Sequence, residues 1–144
     1  AALFLVALFS SQRALSTAWA EVQLKRAQLE NVQQRKANLL PRLENLMQQA
    51  NRQQREKLQA LADALRQNPA AANAVAERLL QDPALREDWL TVRLMDEITG
   101  SENRIAVERK RFEEAAARYE QTVRQFPINL MRPLLGYPRT VERP

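Results

Sequence analysis

An all-α fold is predicted, a long-helix antiparallel up-and-down bundle of four helices with an N-terminal transmembrane helix, and three observations predict it. Helix-forming residues dominate a chain of 144 residues that holds only two glycines. Two apolar stripes recur at heptad spacing, one from Leu15 to Leu61 and one from Ile105 to Phe126. The chain also opens on nine consecutive apolar residues. Its length suits one domain with a modest core.

The opening run, Ala1-Ala2-Leu3-Phe4-Leu5-Val6-Ala7-Leu8-Phe9, is apolar on every face and starts without methionine. At about 1.5 Å per residue it covers less than half of a hydrocarbon core about 30 Å thick. The expectation is that residues 1–14 are the C-terminal part of a membrane anchor completed upstream. A secretory signal is the alternative, since Ala18-Trp19-Ala20 fits the small-x-small cleavage pattern. The chain keeps both sides of that site, and Trp19 continues the seam that follows, which favours an uncleaved anchor.

Residues 15–126 read as the bundle. One seam runs Leu15, Val22, Leu29, Lys36, Leu43, Ala50, Lys57, and its companion runs Trp19, Arg26, Gln33, Leu40, Met47, Gln54, Leu61. Such a stripe packs helix on helix, and its polar members set register or carry their heads to water. Pro41 lacks a backbone donor and predicts a kink near Asn38 to Leu40 in an otherwise single helix over residues 10–66. Asn68-Pro69 and Asp82-Pro83 each read as an N-cap with proline in the first turn. Two short helices should follow, the first burying Val75, Leu79 and Leu80. The second should bury Leu85, Trp89, Val92, Met95 and Ile98 and close at Gly100. A last long helix is predicted from Ser101 to Phe126, with Ile105, Phe112, Tyr119 and Phe126 on one face.

Pro127 stops that helix, and residues 127–144 form an apolar tail with a disordered end from Arg139. Phe126, Leu130, Leu134, Leu135 and Tyr137 are its candidate contacts. They fold back over the bundle, or meet lipid headgroups or a neighbouring protein.

Charge is distributed unevenly. Residues 1–66 hold ten Lys or Arg and five acids, whereas residues 67–126 hold nine and eleven. Antiparallel packing would match the two, with Arg35 and Lys36 facing Glu102 and Glu108. Neither cysteine nor histidine is present. That removes thiolate nucleophiles, disulfides and the usual zinc sites, and leaves no side chain that titrates unperturbed near neutrality. Adjacent acids such as Glu113-Glu114 or Asp96-Glu97 point about 100° apart on a helix and cannot share a reacting atom. No catalytic, cofactor-binding or metal-binding residue is therefore expected, and no small-molecule substrate. The mild basic excess, without an aromatic platform, does not predict a nucleic-acid partner either.

Two stretches resemble the LemA family of bacterial membrane-anchored proteins. One is Leu29-Glu30-Asn31-Val32-Gln33-Gln34-Arg35-Lys36-Ala37-Asn38-Leu39-Leu40-Pro41-Arg42-Leu43. The other starts at Glu102-Asn103-Arg104-Ile105-Ala106 and leads through the last helix to Phe126-Pro127-Ile128-Asn129-Leu130 and Leu135-Gly136-Tyr137. The chain departs from the pattern at Arg26, where the family usually shows tryptophan, and residues 66–82 match no motif of it. The resemblance implies a single N-terminal transmembrane helix, a soluble four-helix bundle and no enzymatic activity.

The functional expectation is a membrane-anchored, non-enzymatic scaffold or assembly protein of the bacterial inner membrane that spans the bilayer once. A helix over residues 10–66 would be about 80 Å long against about 40 Å for the last helix, leaving part of the first seam without an intramolecular partner. Leu15, Trp19, Val22, Arg26 and Leu29 are the candidate contacts to a second copy or to another membrane protein. The alternative is a lipid-surface or envelope-signalling module that uses the basic first helix. The side of the membrane stays open, because the positive-inside rule compares both flanks.

Overall fold

The computed structural model describes residues 1–125 and 127–143, which form helices with no strand among them. In order these are α1 (Ala2–Ala37), α2 (Leu39–Gln49), α3 (Arg52–Gln67), α4 (Pro69–Leu80), α5 (Pro83–Arg86), α6 (Trp89–Val123) and α7 (Ile128–Leu135). Contacts gather them into two compact units, Ala1–Leu29 with Glu108–Pro144, and Glu30–Val107. No helix among the described residues is long and apolar enough to cross a membrane.

In the first unit the N-terminal part of α1 runs antiparallel to the C-terminal part of α6. Arg26 lies over Phe112, and toward the start of α1 Trp19 meets Tyr119. Leu15, Val22 and Leu29 are buried, as are Phe112, Ala115, Ala116, Tyr119 and Val123 on the facing helix. The heptad seam is thus closed within the chain. Leu15, Val22 and Leu29, expected as contacts to a second copy or to another membrane protein, are buried within the chain itself.

The second unit holds one core, in which Leu39 and Leu43 of α2 meet Leu58, Leu61, Ala62 and Leu65 of α3. Ala72, Ala76 and Leu79 of α4 join it, with Leu94, Met95 and Ile98 of α6. The break between α1 and α2 falls at Asn38, where a kink is predicted. Pro41 has no N–H to give the Ala37 carbonyl, yet Asn38 keeps near-helical angles (φ −69°, ψ −9°) and bonds back to Gln34.

A single helix over residues 10–66 is not what forms. Ala50 turns extended (ψ 154°), and Asn51 starts α3 by accepting the Gln54 N–H on its side chain at 2.8 Å. The physical reason is burial: with α3 packed on α2 and α4, the leucines of both stripes meet each other instead of water. This also removes the unpartnered length of seam from which self-association was expected.

Two further boundaries differ from the sequence reading. The helix begun at Asp82-Pro83 is the single turn α5, and Asp88 starts α6 afresh. Its carboxylate accepts the Leu90 N–H at 3.1 Å and the Thr91 hydroxyl at 2.8 Å. Gly100 ends nothing, since α6 passes through it. A glycine inside a helix costs about 1 kcal/mol; the burial of Met95, Ile98, Ser101 and Ile105 around it outweighs that.

Candidate functional site

The C-terminal tail, read from sequence as disordered beyond Arg139, is strapped down inside the first unit. Its N-terminal hinge is Gly136, which caps α7 in the left-handed conformation (φ 77°) while Tyr137 N–H reaches back to the Arg132 carbonyl at 3.3 Å. That six-to-one bond is a Schellman turn, and it aims Tyr137 at Trp19 with ring centroids 6.3 Å apart. Trp19 in turn packs on Tyr119 at 5.1 Å, and the Tyr119 hydroxyl donates to the Pro138 carbonyl. Burial raises the affinity of that hydroxyl for its proton above the ordinary tyrosine value.

Beyond Pro138 the strap crosses both helices. Val141 is buried, and its N–H donates to Glu120 Oε1 at 3.1 Å. Arg143 reaches Glu120 and also Glu113, the latter at 2.8 Å, while Arg26 donates to the Glu142 carbonyl at 3.0 Å. The Val141 N–H, and after it Arg143, hold the Glu120 carboxyl below the usual glutamate range despite partial burial. Arg26 therefore serves twice, over the Phe112 ring at 5.5 Å and on the strap.

In the second unit the seam position Lys36 is 2% exposed. Its ammonium donates to Glu102 and to the Pro69 carbonyl, fixing the start of α4 to α1 and α6. Removing one partner of a fully buried pair costs about 3–5 kcal/mol, and the cost is smaller here because Glu102 keeps contact with water. Arg42 pairs with Glu97, Lys57 with Asp82 and Arg66 with Glu44. Lys57, and after it the Ala84 N–H, lower the Asp82 carboxyl below its ordinary value. The basic charge of the early helices is thus largely engaged in packing.

Of the predicted inter-helix pairs, Lys36 meets Glu102. Glu108 instead pairs with Arg111 one turn along its own helix, and its second oxygen is buried without a partner. Arg35 has no carboxylate within ion-pair distance among the described residues and lines a polar groove with Arg104 and Arg42. Among the tail residues, Tyr137 is engaged, Leu130 and Leu134 stand exposed, and Leu135 is more than half covered. Phe126 lies outside the described residues.

Trp89 was expected in the core and is instead 65% exposed, with Arg93 stacked on it at 5.3 Å. Its neighbour Leu90 is exposed too, and together with Leu46 and Leu94 it lines an open groove of about 230 Å³ on the second unit. The sequence did carry a signal for this: Trp89 sits nine residues before buried Ile98, roughly 180° around the helix. Exposed tryptophan and leucine beside arginine make the kind of surface that anchors a protein partner. Among the lining residues of the two grooves the acid is Glu97, already held by Arg42 and Arg93, so no pair of free carboxylates converges there.

A family model described as LemA family matches residues 25–141. No curated protein and no solved structure matches the chain significantly.

Proposed function

The chain belongs to the LemA family, and from that premise we propose that it is a membrane-tethered, non-enzymatic adaptor of the bacterial inner membrane. The start of α1 would sit in the bilayer as part of a single-pass anchor, and the second unit would offer Trp89 and Leu90 to another membrane protein or to a second copy. The family suggests association with membranes. The observation that carries the reading is the first part of α1, where Leu3 (87% exposed), Phe4, Leu5, Val6 and Phe9 project without cover around most of the helix and only Leu8 is partly buried. An apolar circumference of that kind is costly in water and favourable in hydrocarbon.

Full-length protein reconstituted into vesicles tests the tether. Retention through alkaline carbonate washing is expected for the native chain, with loss of most of it when Leu3, Phe4, Leu5, Val6 and Phe9 are all replaced by serine. Equal retention of both proteins would dismiss the reading. A photo-crosslinking residue at Leu90 in intact cells should then capture a membrane protein or a second copy. One at Arg78, on an exposed face away from the groove, should not.

A further inference from the structure

We infer that α7 is an in-plane membrane helix, lying at the headgroup boundary of an anionic phospholipid surface beside the point where α1 enters it. The inference rests on the tether proposed above and adds a second lipid contact to it. Leu130 and Leu134, one helical turn apart, are 65% and 86% exposed, while Ile128 at the start of the same helix is buried. A short helix with one face packed on protein and the other bare and apolar is the form of an interfacial helix.

The bare face is held in place. The N–H of Asn129 bonds to the Gln125 carbonyl at 2.9 Å, and at the far end the Gly136 turn and Tyr137 pin α7 against Trp19. Position supplies the occupant. Within the first unit Trp19 faces Tyr119 and Glu21 pairs with Arg118 at 2.5 Å, so one turn further out Leu15 stands level with Val123, the last residue of α6. α7 follows directly, at the level where α1 leaves the cover of α6 and becomes apolar all round.

Arg13 and Arg124 flank that level. Both are exposed, and neither has a carboxylate within ion-pair distance among the described residues. Apolar side chains on the outer side, then a band of exposed arginines, then the packed unit: this is the order of hydrocarbon, phosphate and water. A protein partner would also cover Leu130 and Leu134, but it would not account for the shared level with the exposed start of α1 or for the arginine band.

The absence of cysteine from these 144 residues allows single labelling sites within them. Leu134→Cys and, separately, Leu5→Cys would carry an environment-sensitive fluorophore in vesicles of phosphatidylglycerol doped with lipids spin-labelled at the headgroup or deep in the acyl chain. At Leu134 the shallow quencher should act at least about twofold more strongly than the deep one, in keeping with an interfacial depth of about 5–10 Å. At Leu5 the order should reverse. Arg13→Gln with Arg124→Gln should weaken quenching at Leu134 and leave Leu5 unchanged. Quenching at Leu5 with an aqueous probe at Leu134 would overturn this inference and leave the tether standing. Aqueous probes at both sites would overturn the tether and α7 with it. A probe at Leu134 that shifts to the blue yet escapes both quenchers would mean cover by a second copy, and it too would overturn the lipid assignment.

Discussion

At Glu120 a single carboxylate accepts from the Val141 N–H and from Arg143, and both bonds are stronger to its ionised form. Its proton affinity in the folded state is depressed below the ordinary value of 4.5. A depressed carboxyl contributes its stabilisation fully above that ordinary value and loses it as pH falls through the folded one. The strap should accordingly loosen in acid, below about pH 4.5. Trp19 reports it, since it packs under Tyr137. In a Trp89→Phe background, Trp19 fluorescence is expected to hold steady at higher pH and to change as acid is added. Glu120→Gln should abolish that transition. An unchanged transition in the glutamine variant would assign it to another group. None of this was legible at Glu120 in the sequence, where it reads as one of several acids on a solvated helix face, because a partner 21 residues away leaves no periodic trace.

Among the elements, the breaks rather than the helices decide the arrangement. Asn51 and Asn68 both precede helices, but only Asn51 spends its side chain on a cap; Asn68 makes no such bond and leaves the start of α4 to Pro69. Asn51→Ala should cost about 1 kcal/mol and Asn68→Ala less than about half of that, read from urea unfolding midpoints. Equal losses would place the cap of α4 on Asn68 after all. The sequence showed Asp82-Pro83 and Asn68-Pro69 as starts because proline marks them. It hid Asn51 and Asp88, which carry the same capping chemistry without proline, within continuous helical spacing. Missing Asp88 joined α5 to α6 and put Trp89 in line with buried Leu85, four residues earlier, and so in the core. Missing Asn51 joined α2 to α3 and created a rod whose seam seemed to call for a second chain. Gly100 erred the other way, as a breaker symbol overridden by buried neighbours on both sides.

On the scale of the whole molecule, the all-helical class and the antiparallel facing of the first and last long helices were readable, because heptad spacing survives from Leu15 to Leu29 and from Phe112 to Val123. The grouping into units was not, since a stripe records that a face is buried and not which helix buries it. That grouping carries a consequence for synthesis. Glu30–Val107 is contiguous, whereas the other unit joins Ala1–Leu29 to Glu108–Pro144. During translation at about 5–20 residues per second, the early half waits about 4–16 s for its mate. Through that interval Leu15, Val22 and Leu29 lie bare on the nascent chain. Ribosomes stalled with Val107 just outside the exit tunnel should yield a fragment over residues 30–107 that resists brief protease treatment, with cleavage at Arg13, Lys25 and Arg26. Resistance at those three sites should arrive only once Arg143 has emerged, because the second segment of that unit is synthesised last.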